Sequence, residues 1–125
     1  MNASFLHQRK MARAVLVLDG DLANLEPLLK RKNFRVITLP MGVIDAEHKA
    51  LFLSHRTLIT RTPQEFEDDV PVLEYSLIDA TGVTSDDATL ADVISQAWTR
   101  LRLKSEGWFI LRLRQDGEHE IQFPE

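Results

Sequence analysis

The apolar positions of this chain fall into short, dense runs, and the first sets the pattern. Ala14-Val15-Leu16-Val17-Leu18 runs without a break into Asp19-Gly20-Asp21, after which a helical pattern begins at once. A continuous apolar run closed by a turn signal predicts a strand buried on both faces, the kind found in parallel sheets. This strand covers about 14–18. Leu22, Leu25, Leu28 and Leu29 then recur at helical spacing, and Lys30, Arg31 and Lys32 suit a helix carboxyl end. Pro27 is accommodated if the helix starts near Leu25 or Glu26, which places proline in the first turn. Residues 34–39 predict a second strand, with Pro40-Met41-Gly42 turning the chain. Asp45, preceded by Ile44, opens a second helix through Ala50, Leu51, Phe52 and Leu53.

Thr57-Leu58-Ile59-Thr60 is a short third strand, followed by a polar loop over 61–69 that Phe66 anchors. Val70 to Asp79 reads as a fourth strand and Thr81-Gly82 as a break. Ser85-Asp86-Asp87 starts a helix in which Leu90, Val93, Ile94, Ala97, Trp98 and Leu101 recur at three and four, running to about Lys104 with Gly107 beyond it. Residues 108–114 and 118–123 are strands flanking Gln115-Asp116-Gly117, an Asp-Gly hairpin signal. Strands alternating with helices predict an α/β fold with a mostly parallel central sheet flanked by helices, closed by a C-terminal β-hairpin. Residues 1–13 read as a flexible N-terminal arm and 14–125 as a single domain, since no repeat, low-complexity segment or linker divides it.

Composition narrows the chemistry. The chain lacks cysteine, so disulfides, thiol nucleophiles and thiolate zinc sites are excluded together. A net charge of −4 in 125 residues argues against a broadly basic nucleic-acid surface. Basic residues do gather in three places, around Arg9 to Arg13, Lys30 to Arg35, and Arg112 with Arg114; solvated surface charge is the simpler account of each. No apolar run approaches the roughly 18 residues of a membrane span, and Met1 to Lys10 lack the apolar core of a signal peptide. No membrane partner and a cytoplasmic location are the expectations.

The acids supply the candidate site. In a parallel layout the carboxyl ends of strands one and three and the start of the helix after strand two share one edge of the sheet, where ligands of open α/β folds bind. Asp19, Asp21, Asp45 and Glu65 can meet there. Converging carboxylates repel one another unless a cation joins them, and Mg²⁺ or Mn²⁺ favours such oxygen ligands. An ion held there activates water and stabilises charge on a phosphodiester under attack. The plainer reading makes Asp45 an N-cap and leaves the loop acids in solvent.

The order of these motifs resembles the short stand-alone bacterial proteins of the PIN-like nuclease superfamily. Leu18-Asp19-Gly20-Asp21-Leu22 is similar to their opening Leu-Asp-Glu-Asn-Leu. Ile44-Asp45-Ala46-Glu47 is similar to their acid-opened helix, and Thr60-Arg61-Thr62 with Glu65-Phe66 to a Thr-Arg-Asp strand end followed by Asp-Phe. The likeness spans about 14–123; each motif is short, and their order carries the weight. It implies a metal-dependent endoribonuclease of toxin-like type, with Mg²⁺ or Mn²⁺ as cofactor, RNA as substrate and an antitoxin-like protein as partner. Asp19, Asp45 and Glu65 would be catalytic, and Asp19, Asp21, Asp45 and Glu65 would hold metal. One departure bears on all of this: Thr62 stands where the family has an acid, followed by Pro63 and a one-residue insertion before Glu65-Phe66. Threonine brings no negative charge. The alternative is therefore a catalytically inactive PIN-like module for binding or dimerisation, with the edge of the terminal hairpin open to a second copy.

Other features carry less. His48 and His55 are seven residues apart, two turns along one helix and too far to share an ion readily. Ser76, Ser85 and Ser105 lack a nucleophile-elbow context. Gly20 is a lone glycine rather than a phosphate loop. Trp98 and Trp108 are expected in the core rather than as base-stacking platforms. A signalling receiver-like domain would also place acids at strand ends; the absence of a lysine at the end of a late strand and the terminal hairpin speak against it.

Overall fold

The computed structural model describes residues 15–40, 45–101, 103 and 107–123; the N-terminal arm and Ile44 lie outside them. The protein is an α/β fold built on a six-stranded sheet in the order β2-β1-β3-β4-β5-β6. The strands are β1 (Val15–Leu18), β2 (Arg35–Thr38), β3 (Thr57–Thr60), β4 (Ser76–Gly82), β5 (Ile110–Arg114) and β6 (Glu120–Gln122). The first five are parallel, and β5 pairs with β6 as an antiparallel hairpin. Gly117 at φ +83° makes the turn between them, where a side chain would be strained.

The helices are α1 (Glu26–Lys30), α2 (Ala46–Leu53), α3 (Val70–Leu73) and α4 (Asp87–Arg100). A 3₁₀ segment, Gly20–Leu25, leads into α1, so Pro27 falls in the first helical turn, where its missing N–H has no intrahelical partner to lose. The predicted strand over 70–79 needs correction. Its first part, Val70-Pro71-Val72-Leu73, is α3, again with proline in the first turn, and Glu74 at φ +55° ends it. Proline would have broken the ladder of a central strand. The strand starts only at Ser76 and continues through Thr81-Gly82, with a register irregularity between Asp79 and Gly82. The last helix stops at Arg100, short of Lys104. There the Leu103 N–H returns to the Trp98 carbonyl at 3.1 Å and Leu103 buries, a six-to-one bond that closes a helix end.

Side chains alternate across the sheet. Leu16, Leu18, Ile59, Ile78 and Leu111 face one side and pack against α1 and α4. Val17, Leu58, Leu77 and Ile110 face the other, under α2, α3 and the buried Phe66 and Tyr75. This division has an unusual consequence for handedness. The connections β1–α1–β2, β2–α2–β3 and β3–α3–β4 share one hand. The β4–α4–β5 connection steps across the sheet in the same direction as the two before it, yet crosses on the opposite face, so it has the other hand. Such crossovers are overwhelmingly of one hand. Here the chemistry of the strands favours the exception. On the α4 side β4 and β5 present Ile78, Ala80, Leu111 and Leu113, all buried. On the α2 side the same strands present Leu77 and Ile110 at their start but then Asp79 and Arg112, a shorter apolar face than the stripe Leu90, Ala91, Ile94, Ala97 and Trp98 of α4 needs.

Candidate functional site

From β1 the chain moves to β2 on one side and returns to β3 on the other. The gap between β1 and β3 is thus the switch point of the sheet, and the crevice beyond the carboxyl ends there is where such sheets take ligands. Asp19 follows β1 directly, and its N–H continues the ladder to the Ile59 carbonyl at 3.0 Å. Its Oδ1 accepts from the Gly20 N–H at 2.9 Å, capping the 3₁₀ segment. Its Oδ2 accepts from the Thr60 hydroxyl at 2.8 Å, and the Thr62 Oγ1 lies 3.3 Å from the same oxygen.

Thr62 is the hinge of this arrangement. Its Oγ1 also stands 3.1 Å from Oε2 of Glu65 and 3.1 Å from Oγ1 of Thr60. One hydroxyl has one proton to give, so at any instant Thr62 donates to Asp19 or to Glu65, not to both. The residue that replaces the expected acid therefore joins two of the predicted acids through a neutral group. Glu65 is exposed in the 3₁₀ turn Pro63–Glu65, and Asp21 is exposed in the first turn after β1.

Asp45 is occupied elsewhere. It is the N-cap of α2: Oδ1 accepts from the His48 N–H at 2.9 Å, and Oδ2 meets His48 Nδ1 at 2.6 Å. Among the described residues no hydrogen bond links Asp45 or Asp21 to Asp19 or Glu65, and no three His, Asp or Glu side chains form a metal-binding group. The backbone hydrogen bond from His48, then its ring, holds the Asp45 carboxyl below the ordinary 3.8, while the side-chain bond to Asp45 holds the imidazole above 6.5. The imidazolium form stabilises the fold fully below about 6.5, and this is lost as pH rises through the raised value. The carboxylate contributes above 3.8, and this is lost as pH falls through the lowered value. The pair therefore supports α2 best between those limits. An NMR titration of the His48 ring is expected to give a midpoint above 6.5 that falls towards 6.5 in Asp45→Asn. An unchanged midpoint in the mutant would break the assignment.

Several polar residues at this edge escaped the sequence reading. The register aligns Thr60 with Asp79 and Asp79 with Arg112, so with Asp19 they form a row across four neighbouring strands, on the α2 face. Arg112 donates to Asp79 Oδ2 at 3.1 Å and to Glu67, and Asp79 Oδ1 accepts the N–H and hydroxyl of Thr81 at 2.9 and 2.6 Å. Lys49 of α2 is 8% exposed despite its charge. It donates to the Glu65 carbonyl at 2.7 Å and to Asp69 at 2.8 Å, and lies 5.0 Å over the Phe66 ring. Phe66 is itself buried, and its carbonyl accepts from the Tyr75 hydroxyl. The acidic loop is thus pinned from two sides. The missed signal was a polar residue closing each apolar run, as Asp19 does.

No family model, no curated protein and no solved structure matches this chain. No helix among the described residues is long and apolar enough to cross a membrane.

Proposed function

We propose that this chain is a PIN-like domain whose sheet edge at Asp19 and Glu65 binds a partner without cutting RNA. The observation that carries the reading is the Thr62 hydroxyl between Asp19 and Glu65, a neutral bridge where the resemblance expects a third negative charge. Two further facts agree with it. Thr60 and Gly20 already hydrogen-bond the Asp19 carboxylate, and the Asp45 carboxylate is engaged by its own helix. The partner would be a second copy or an antitoxin-like protein covering that edge.

A metal-dependent endoribonuclease is the second reading, and the approach of Asp19 and Glu65 to one oxygen favours it. Mg²⁺ is often held by one or two carboxylates with water completing its shell. Asp19 and Glu65 would be the ligands, and the ion would supply an activated water and charge neutralisation at the phosphodiester. The test is RNA cleavage with Mn²⁺ by wild type, Asp19→Asn and Thr62→Asp. The binding reading expects wild type to be no faster than Asp19→Asn, and Thr62→Asp to gain Mn²⁺-dependent cleavage of at least 10²-fold, since a misplaced or missing group in a positioned site costs that much. Mn²⁺-dependent cleavage by wild type that is lost in Asp19→Asn would overturn it in favour of the nuclease.

A further inference from the structure

The sheet ends at β6, and the bonds beside it fix which way its backbone groups point. The Leu77 N–H of β4 donates to the Phe109 carbonyl at 2.9 Å. Backbone groups alternate in direction along a strand, so Ile110, Arg112 and Arg114 turn theirs towards β6. The register pairs Ile110 with Gln122 and Arg112 with Glu120, so Gln122 and Glu120 use their backbone groups on β5. Ile121, and by the same alternation His119 and Phe123, turn their N–H and C=O groups outward, where the sheet has no further strand. Such an edge is a template for another strand. Residues 119–123 contain neither the proline nor the lysine that commonly blunts an edge, and the Glu120 charge is paired with Arg114 of its own chain. Among the described residues the exposed large apolar side chains are Leu51, Val72 and Phe123, and Phe123, 58% exposed, stands at this edge.

The edge is complementary to itself. With a twofold axis at Ile121, antiparallel pairing sets Ile121 opposite Ile121 of the second copy and His119 opposite its Phe123. These are the outward-turned residues, so each such row closes a pair of ladder bonds. The rows between set Glu120 opposite Gln122 of the second copy, an acceptor facing an amide donor. The twofold axis repeats every unlike pair. Moving the axis to Glu120 brings two glutamates face to face, which opposes pairing. Moving it to Gln122 shortens the ladder to 121–123 among the described residues. The axis at Ile121 also gathers apolar groups on the α4 face. Ile121 already packs against the core there, and each Phe123 stands diagonal to Ile121 of the other copy.

We propose that two copies of this chain join edge to edge through β6, residues 119–123 pairing antiparallel about Ile121 into one continuous sheet. A ladder over 119–123 buries less than a standard interface of ~1,200–2,000 Å², so the dimer is weak, with a Kd on the order of 100 µM. The experiment is sedimentation of the full chain, with amide exchange, from about 10 µM to about 1 mM. A reversible dimer is expected, with protection of the Ile121 and Phe123 amides that rises with concentration while the Gln122 amide is protected throughout. Gln122→Glu sets two acids opposite each other and is expected to raise Kd about threefold or more, whereas Gln122→Lys is expected to lower it by a similar factor. Gln122 is exposed, so neither change disturbs the core. A monomer at about 1 mM, a dimer that leaves the Ile121 amide unprotected, or two Gln122 variants that do not move Kd in opposite directions would overturn the proposal. Protection that rises at 60–66 instead of 119–123 would put the second copy on the Asp19 edge and overturn it as well. None of these outcomes depends on whether the chain cuts RNA.

Discussion

Trp98→Ala is expected to be the most destabilising single change in the chain, costing about 3–5 kcal/mol, the range for removing a large aromatic side chain from a core. The indole is 8% exposed and sits edge-on to two rings, Phe34 at 5.6 Å and Phe109 at 6.2 Å. Those rings belong to the segments that precede β2 and β5, so Trp98 joins α4 to strands four places apart in the sheet. Edge-to-face pairs add to simple burial. Trp98→Phe should recover much of the loss, because it keeps a ring at the centre of the trio. Urea denaturation of the three proteins tests this. A midpoint for Trp98→Ala within error of wild type would mean that α4 is held by its aliphatic residues alone.

Lys49→Met is expected to cost on the order of 2 kcal/mol. Breaking a fully buried ion pair costs more, about 3–5 kcal/mol, but Asp69 keeps 36% of its side-chain exposure and regains water when its partner leaves. Methionine preserves the apolar stem over Phe66 and so isolates the charge. The second consequence is local. The Glu65 carbonyl loses its bond to the ammonium, and residues 61–69 lose their tether to α2. Amide exchange in that loop should accelerate more than exchange in β1 or β3. Uniform acceleration across the chain would show instead that Lys49 supports the fold as a whole and not the loop that carries Glu65.

Much of the fold was legible because the decisive residues speak locally. The apolar runs Val15–Leu18 and Thr57–Thr60 could be little but buried strands, and the three-and-four spacing of Leu90 to Trp98 marked α4 without help from context. Val70–Leu73 was misread because four apolar residues look alike in a strand and in one helical turn. Pro71 was the clue that should have decided it. At the site, Asp19 was identifiable from its place after a strand, and Thr62 from its departure from a pattern. The bonds that give Thr62 its meaning join residues 41 to 43 positions apart in sequence, through Thr60 and Asp19. No local pattern contains that information. The burial of Lys49 was equally hidden, since its partners Glu65 and Asp69 lie 16 and 20 residues downstream.

The crossover of opposite hand also orders the assembly of the molecule. A strand, helix and strand of the usual hand can close on themselves, each helix settling on the pair of strands that it connects. Helix α4 cannot rely on β4 and β5 alone. The surface that receives it includes Leu25, Leu29 and Phe34, contributed by the first third of the chain some sixty residues earlier. Contacts that distant are slow to form, because a long loop must close before they repay it. The last third of this protein is therefore only half housed by its own strands: Ile78, Ala80, Leu111 and Leu113 take one part of the α4 stripe, and the rest is covered only by what β1, α1 and β2 bring.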